Sequence, residues 1–205
     1  MKKIKLIYSL IGTFFISFAV SSFRLADLGT DPYTMFNLGA SGFLNVGFGV
    51  FIMVSSLLAL IYIYFQNRSL IGIGTLLNIF IVGNFSDVTL NVYGSFFAPP
   101  EAMVVRIVFS VLGIFFLSSG VALYTEAHEG VAPYDAFPII LTDAADGRWT
   151  YRTSRVILDV SFSIIGALLG ATFGINTILT AFFLGPFIQF FREIFRKDLE
   201  KRLAR

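Results

Sequence analysis

Six stretches of this chain stay apolar for close to the length a helix needs to cross a bilayer, about 20 residues for a ~30 Å hydrocarbon core. They cover approximately residues 4–23, 43–65, 70–92, 102–124, 154–171 and 173–191. Such runs predict an all-α membrane protein with six transmembrane helices. Composition agrees: only 14% of the 205 residues are charged, 25 are Phe, and the mean hydropathy is +0.81. A soluble chain of this size would have to turn much of that surface to water. Cysteine is absent and His128 is the single histidine. Disulfides and thiolate metal sites are therefore excluded, and no metal or cofactor is expected. No basic stripe marks a nucleic-acid surface.

The placement of positive charge predicts orientation. Lys2, Lys3 and Lys5 precede the first run, Arg68 follows the second, and Arg148 and Arg152 precede the fifth. Arg192, Arg196, Lys197, Lys201, Arg202 and Arg205 follow the sixth. With six spans all of these fall on one side, leaving Arg24 and Arg106 opposite. Cytoplasmic loops carry the excess of Lys and Arg. A multi-pass protein of the bacterial plasma (inner) membrane with both termini cytoplasmic is expected. Residues 192–205 read as a short basic amphipathic helix on that surface, acting as anchor and topology signal. The basic start, apolar run and small residues Ala19, Ser21 and Ser22 imitate a signal peptide.

An internal repeat argues against cleavage. Residues 11–36 match residues 112–137: Gly12 with Gly113, Phe14-Phe15 with Phe115-Phe116, Ser17 with Ser118, and Gly29, Pro32, Tyr33 and Phe36 with Gly130, Pro133, Tyr134 and Phe137. A second block, residues 71–85 against 173–187, pairs Gly72-Ile73 with Gly174-Ile175, Thr75 with Thr177 and Gly83 with Gly185. Two blocks in the same order divide the chain into repeats at 1–101 and 102–191, followed by the tail at 192–205. Each repeat holds three spans, so the halves are expected to be inverted, an arrangement frequent in secondary transporters.

Four segments are candidates for chemistry. After the first span of each repeat, a Gly and a Pro-Tyr introduce residues 32–43 and 133–141, which are too short to cross. They are expected to be broken or re-entrant half-helices, with Asp31 or Thr30 as N-cap in the first copy. Their N-termini would suit an anion; an amphipathic helix lying flat at the interface is the competing reading. Thr75 and Asn78 in one repeat, and Asn176, Thr177 and Thr180 in the other, form a polar line that either packs helices or lines a cavity. Gly83-Asn84 and Gly185-Pro186 mark a kink or close contact in each helix.

Arg155 and Asp159 are spaced i, i+4 inside the fifth run, where ionisable groups are costly and normally face the bundle interior. They form either a functional site or a structural ion pair. Glu126, His128, Glu129 and Asp135 could make a charged vestibule and, with Asp159, a proton relay, or simply a solvated loop. Asp87 reads as a capping or interfacial residue.

These residues also carry a family resemblance. The order Gly-x-x-Pro-Tyr, Gly-Ile-Gly-Thr, Gly-x-x-Pro-Tyr-Asp, Arg155–Asp159 and the closing Leu-Gly-Pro-Phe-Ile-Gln (residues 184–189) resembles the bacterial YczE/YitT-like membrane proteins, over about residues 8–191. That family is largely uncharacterised. The resemblance implies a small bacterial plasma-membrane protein and says little about substrate. Asn176 stands where the family more often has Gly.

The expected function is a small-solute transporter or exporter, possible proton coupling included, for an anionic or zwitterionic ligand. The candidate ligand-binding residues are Asp31, Tyr33, Thr75, Asn78, Tyr134, Asp135, Arg155, Asp159, Asn176 and Thr177. The candidate relay is Asp159, Glu126 and His128. Expected partners are the lipid bilayer and a solute, with a homodimer as a possible assembly. The alternative is a non-transporting scaffold or regulatory partner of another membrane complex. No Ser-His pair, metal-ligand spacing or nucleotide loop supports an enzyme, so no catalytic residues are assigned.

Overall fold

The computed structural model describes residues 2–203; Arg205, counted above in the basic tail, lies outside them. Eight α-helices make up the fold: α1 (Lys2–Ala26), α2 (Pro32–Phe43), α3 (Phe48–Gln66), α4 (Ile73–Phe96), α5 (Met103–Glu126), α6 (Pro133–Ala144), α7 (Tyr151–Leu168) and α8 (Ile175–Leu203). A 3₁₀ turn, Arg68–Leu70, joins α3 to α4. No strand occurs among the described residues.

Five helices (α1, α3, α4, α5 and α8) are long and apolar enough to cross a membrane. The sixth apolar run is the departure from expectation. It becomes α7, 18 residues carrying Arg152, Arg155 and Asp159, and it is too polar to rank with the other five. The basic tail also differs. It is not a separate amphipathic helix but an unbroken continuation of α8, which runs past Pro186 to Leu203. Apolar contacts explain the continuity: Leu199 is buried with Tyr8, Leu123 and Ala127, with Phe195 beside them, and Tyr8 donates to Asp198.

The core is the crossing of α1 and α5, the most extensive helix pair in the fold. Gly12 and Gly120 meet there, so that a Cβ on either would lie 2.7 or 2.8 Å from the other's carbonyl oxygen. Phe15 and Phe116 pack edge to face beside them, 5.2 Å between centroids. The face of α1 carries Ser9, Thr13, Ser17 and Ser21, all buried. The last three hydroxyls each donate to the carbonyl four residues earlier, at 2.8–2.9 Å. Those three hydroxyls are thereby satisfied within the helix, Ser9 Oγ is left without a partner, and the small side chains leave room for close packing. α4 packs on α1, and α8 packs on α5.

The two loops that follow α1 and α5 dock reciprocally. The Leu28 carbonyl accepts from Asn176 N–H at the start of α8 (3.0 Å), and the Glu129 carbonyl accepts from Gly74 N–H at the start of α4 (2.7 Å). Gly29 (φ +86°) and Gly130 (φ +110°) sit in the left-handed region that glycine tolerates. Each repeat's loop thus seats on the other repeat's Gly-x-x-Thr segment.

The helix pairs α3–α4 and α7–α8 occupy matching places in the chain but differ in packing. α3 and α4 close tightly through Gly49 and Gly83, whose Cβ positions are filled by the opposing helix. α7 and α8 barely touch. Asp87 adds to the first joint: its carboxylate accepts from Gly49 N–H (2.7 Å), capping the first turn of α3 from another helix, and pairs with Arg24 (2.5 Å). Asp87→Ala is expected to cost about 1–2 kcal/mol through the lost cap and the unpaired Arg24, read as a lower unfolding midpoint in detergent.

Candidate functional site

Pro32 and Pro133 open α2 and α6, each 12 residues long, or about 18 Å at the helical rise. Proline suits a first-turn position because its missing N–H has no partner there anyway. Asp31 is the N-cap of α2, its carboxylate accepting from Thr34 N–H at 3.1 Å. The α2 N-terminus is therefore already occupied by an internal anion. α6 has no side-chain cap and carries Asp135 in its first turn.

Both short helices bring the tyrosine of their Pro-Tyr to one place. The rings of Tyr33 and Tyr134 stack 4.7 Å apart at 17°, and Phe162 of α7 packs beside both. Each hydroxyl reaches the ninth residue of the following long helix. Tyr33 shares a hydrogen bond with Ser56 of α3 at 2.7 Å, and Tyr134 donates to Asp159 of α7 at 2.5 Å. Ninth of 19 and ninth of 18 are the helix midpoints, so the stack reaches the middle of both helices.

The two halves diverge at this point. Ser56 is a hydroxyl, whereas Asp159 belongs to a cluster of ionisable side chains. Arg155 Nη1 lies 2.5 Å from Asp135 and Arg155 Nε 3.2 Å from the Asp159 carboxylate, and the guanidinium sits 4.6 Å over the Tyr134 ring. Asp159 is 4% exposed. A planar guanidinium holding two carboxylates and stacking on an aromatic face uses the geometry that distinguishes Arg from Lys.

This cluster forms the inner wall of a cavity of about 1810 Å³. Tyr33, Asn78, Tyr134, Asp31, Asp135, Arg155 and Asp159 line it, together with Glu126, His128, Arg152, Arg192 and Arg196. The cavity extends from the tyrosine stack towards the end of the bundle where α5 ends and α7 begins. There Glu126, buried at 4% exposure, pairs with Arg192 of α8 at 2.7 Å. Glu126, His128 and Asp159 share the cavity wall, but no hydrogen bond joins their side chains to one another. The inner wall has three carboxyl groups (Asp31, Asp135, Asp159) and one guanidinium, Arg155.

Three sequence candidates lie elsewhere. Thr75 Oγ1 donates to the Val131 carbonyl (2.8 Å) and accepts from Gly72 N–H (3.1 Å), so it clamps the second loop. Asn176 donates to the Gly29 carbonyl (3.2 Å) and to Ser110 Oγ (3.0 Å) in the first. Both are almost wholly buried and off the cavity wall. The free backbone groups of the docked loops need these side chains as partners. Thr177, buried against Gly29, lines a separate apolar groove rather than the cavity.

Sequence reasoning missed Ser56, the Glu126–Arg192 pair and Tyr124. The Tyr124 hydroxyl is buried, lines the cavity and has no hydrogen-bond partner. Ser56 had a signal, being at the position of α3 that matches Asp159 in α7. The other two had none, since their partners are remote in sequence.

Fold and site together define a multi-pass helical membrane protein with a cavity lined by apolar and ionisable side chains. The chain belongs to the Family of unknown function (DUF6198), whose profile matches residues 3–193. It is 31% identical over 172 residues to an uncharacterised protein of Haemophilus influenzae, covering 83% of this chain and 75% of that one. It is 26% identical over 182 residues to the uncharacterised membrane protein YczE of Bacillus subtilis, covering 87% and 81%. The family resemblance read from the motifs is thereby established. No solved structure matches.

Proposed function

We propose that this protein is a small-solute transporter or exporter of the bacterial plasma membrane, with both termini cytoplasmic and the solute held between its two halves. The observation that carries this reading is the cavity of about 1810 Å³ that is lined by the Tyr33–Tyr134 stack and the Arg155 cluster. A scaffold would have no use for a cavity lined by ionisable side chains, which are costly at such depth. The reciprocal docking of the two loops supports inverted three-span halves, with α7 as the sixth crossing and the site at the repeat interface.

Of the two ligand classes the sequence suggested, the zwitterionic one fits better. Arg155 already holds two carboxylates, so a purely anionic solute would meet net negative charge at the inner wall. Asp159, bound by Tyr134 and Arg155 but facing the cavity, is the group best placed to exchange a proton with the transport cycle. No catalytic step belongs to this reading.

The test is solute flux in proteoliposomes, with wild type and Asp159→Asn compared under an imposed proton gradient. A loss of at least about tenfold is expected in the variant. Equal flux would remove Asp159 from the mechanism, and no flux of any amino-bearing solute by wild type would remove the transport reading.

A further inference from the structure

We infer that the site takes an amphiphile with an ammonium-bearing head, entering sideways from the bilayer between α7 and α8; this rests on the transport reading and adds a hydrocarbon chain to the amino-bearing ligand named there. The groove between these helices has a volume of about 300 Å³. Val160, Ile164, Phe173, Ile178 and Phe182 form its apolar walls, with Ile164, Phe173 and Phe182 more than half exposed on the lipid-facing surface. Asp159 and Ala181 belong both to this groove and to the central cavity, so the two spaces meet at the buried carboxylate. The matching pair α3–α4 has no such gap, being closed by Gly49 against Gly83 and by the Asp87 cap.

Each end of this composite space selects one part of a ligand. The inner wall presents three carboxyl groups, Asp31, Asp135 and Asp159, against the single guanidinium of Arg155, so acceptors for an ammonium group outnumber cations there. The stacked faces of Tyr33 and Tyr134 add an aromatic surface of the kind cations prefer. The groove offers no charged group except Asp159 at its inner end, so it accommodates a hydrocarbon chain and little else. A long-chain amine satisfies both ends at once, with its head at Asp159 and its chain between Ile164 and Phe182.

The experiment uses the full-length protein in phosphatidylcholine nanodiscs. A dodecylamine bearing a diazirine near the end of its chain is irradiated with it, and adducts are mapped by peptide mass spectrometry. Adducts are expected on Ile164, Phe173, Ile178 or Phe182 at about tenfold the level on lipid-facing positions of α3 and α4. They should fall by a similar factor in Asp159→Asn and in Ala181→Trp, which fills the place where groove and cavity meet. Unlabelled dodecylamine should compete and dodecyl sulfate should not.

Even labelling of all lipid-facing helices, or labelling indifferent to both substitutions, overturns the proposal. Equal competition by the sulfate overturns the cationic head. A dimer that Ala181→Trp dissociates, with no specific labelling in either protein, assigns the groove to a second copy and also overturns it. Butylamine flux in proteoliposomes separates this proposal from the reading beneath it. Flux without specific labelling leaves the transporter and removes the lateral route; specific labelling without flux keeps the amphiphile site and removes transport.

Discussion

Replacing Arg155 with alanine is expected to destabilise the protein by about 3 kcal/mol, several times the effect of Asp159→Asn, at about 1 kcal/mol or less. The asymmetry follows from the connectivity. Arg155 is the shared partner of Asp135 and Asp159, so its loss leaves two carboxylates facing each other inside the bundle. It also removes the guanidinium stacked on Tyr134. Asp159→Asn instead keeps an acceptor for the Tyr134 hydroxyl and leaves Arg155 paired with Asp135. Arg155 and Asp135 are each 29% exposed at the side chain, so cavity water softens the penalty relative to a sealed pair. Denaturant unfolding in detergent measures both variants. Adding Asp135→Asn to Arg155→Ala should recover part of the loss, because one stranded charge disappears; no recovery would show that Arg155 acts through packing alone.

Gly72→Ala and Gly174→Ala are expected to cost about 3 kcal/mol each, and to do so equally. A Cβ at Gly72 would lie 2.1 Å from the Glu129 carbonyl oxygen, and one at Gly174 would lie 2.3 Å from that of Leu28. Both obstacles are backbone, in loops held by further hydrogen bonds from Asn176 N–H and Gly74 N–H, so neither can retreat as a side-chain tip would. Gly94→Ala is the control: nothing lies within 4 Å of its Cβ position, and alanine favours the helix by about 0.5–1 kcal/mol. Thermal midpoints in detergent would read the contrast. A large loss in only one of the two joint variants would mean that the halves are not held together symmetrically.

Much of the site was legible in the sequence as residues but not as contacts. The Pro-Tyr motifs and the Arg155–Asp159 spacing pointed to Tyr33, Tyr134 and the ion pair, because proline and helical periodicity are local signals. The polar line at Thr75 and Asn176 was equally visible, yet its direction depends on how each helix is rotated against its neighbours. These hydroxyl and amide groups face the docked loops, whose backbone must be satisfied, and not the cavity. Of the two half-helix N-termini, only that of α2 is capped by a side chain, Asp31, which accepts from Thr34 N–H. The continuity of α8 through its basic end depends on Leu199 burying against α1 and α5, a contact that a local pattern cannot reveal.

That this is a helical membrane protein carrying two matched sequence blocks was decided by the sequence alone. Apolar runs of that length, short polar joints and two matched blocks follow from local composition and order, and hydrocarbon leaves such runs few structures but helices. Only the tertiary structure decided that α3–α4 closes while α7–α8 stays parted, that two tyrosines distant in the chain stack, and that one arginine is shared by two aspartates. Those outcomes depend on helix rotation and separation, which a single glycine or a loop carbonyl can set and which a linear pattern does not encode.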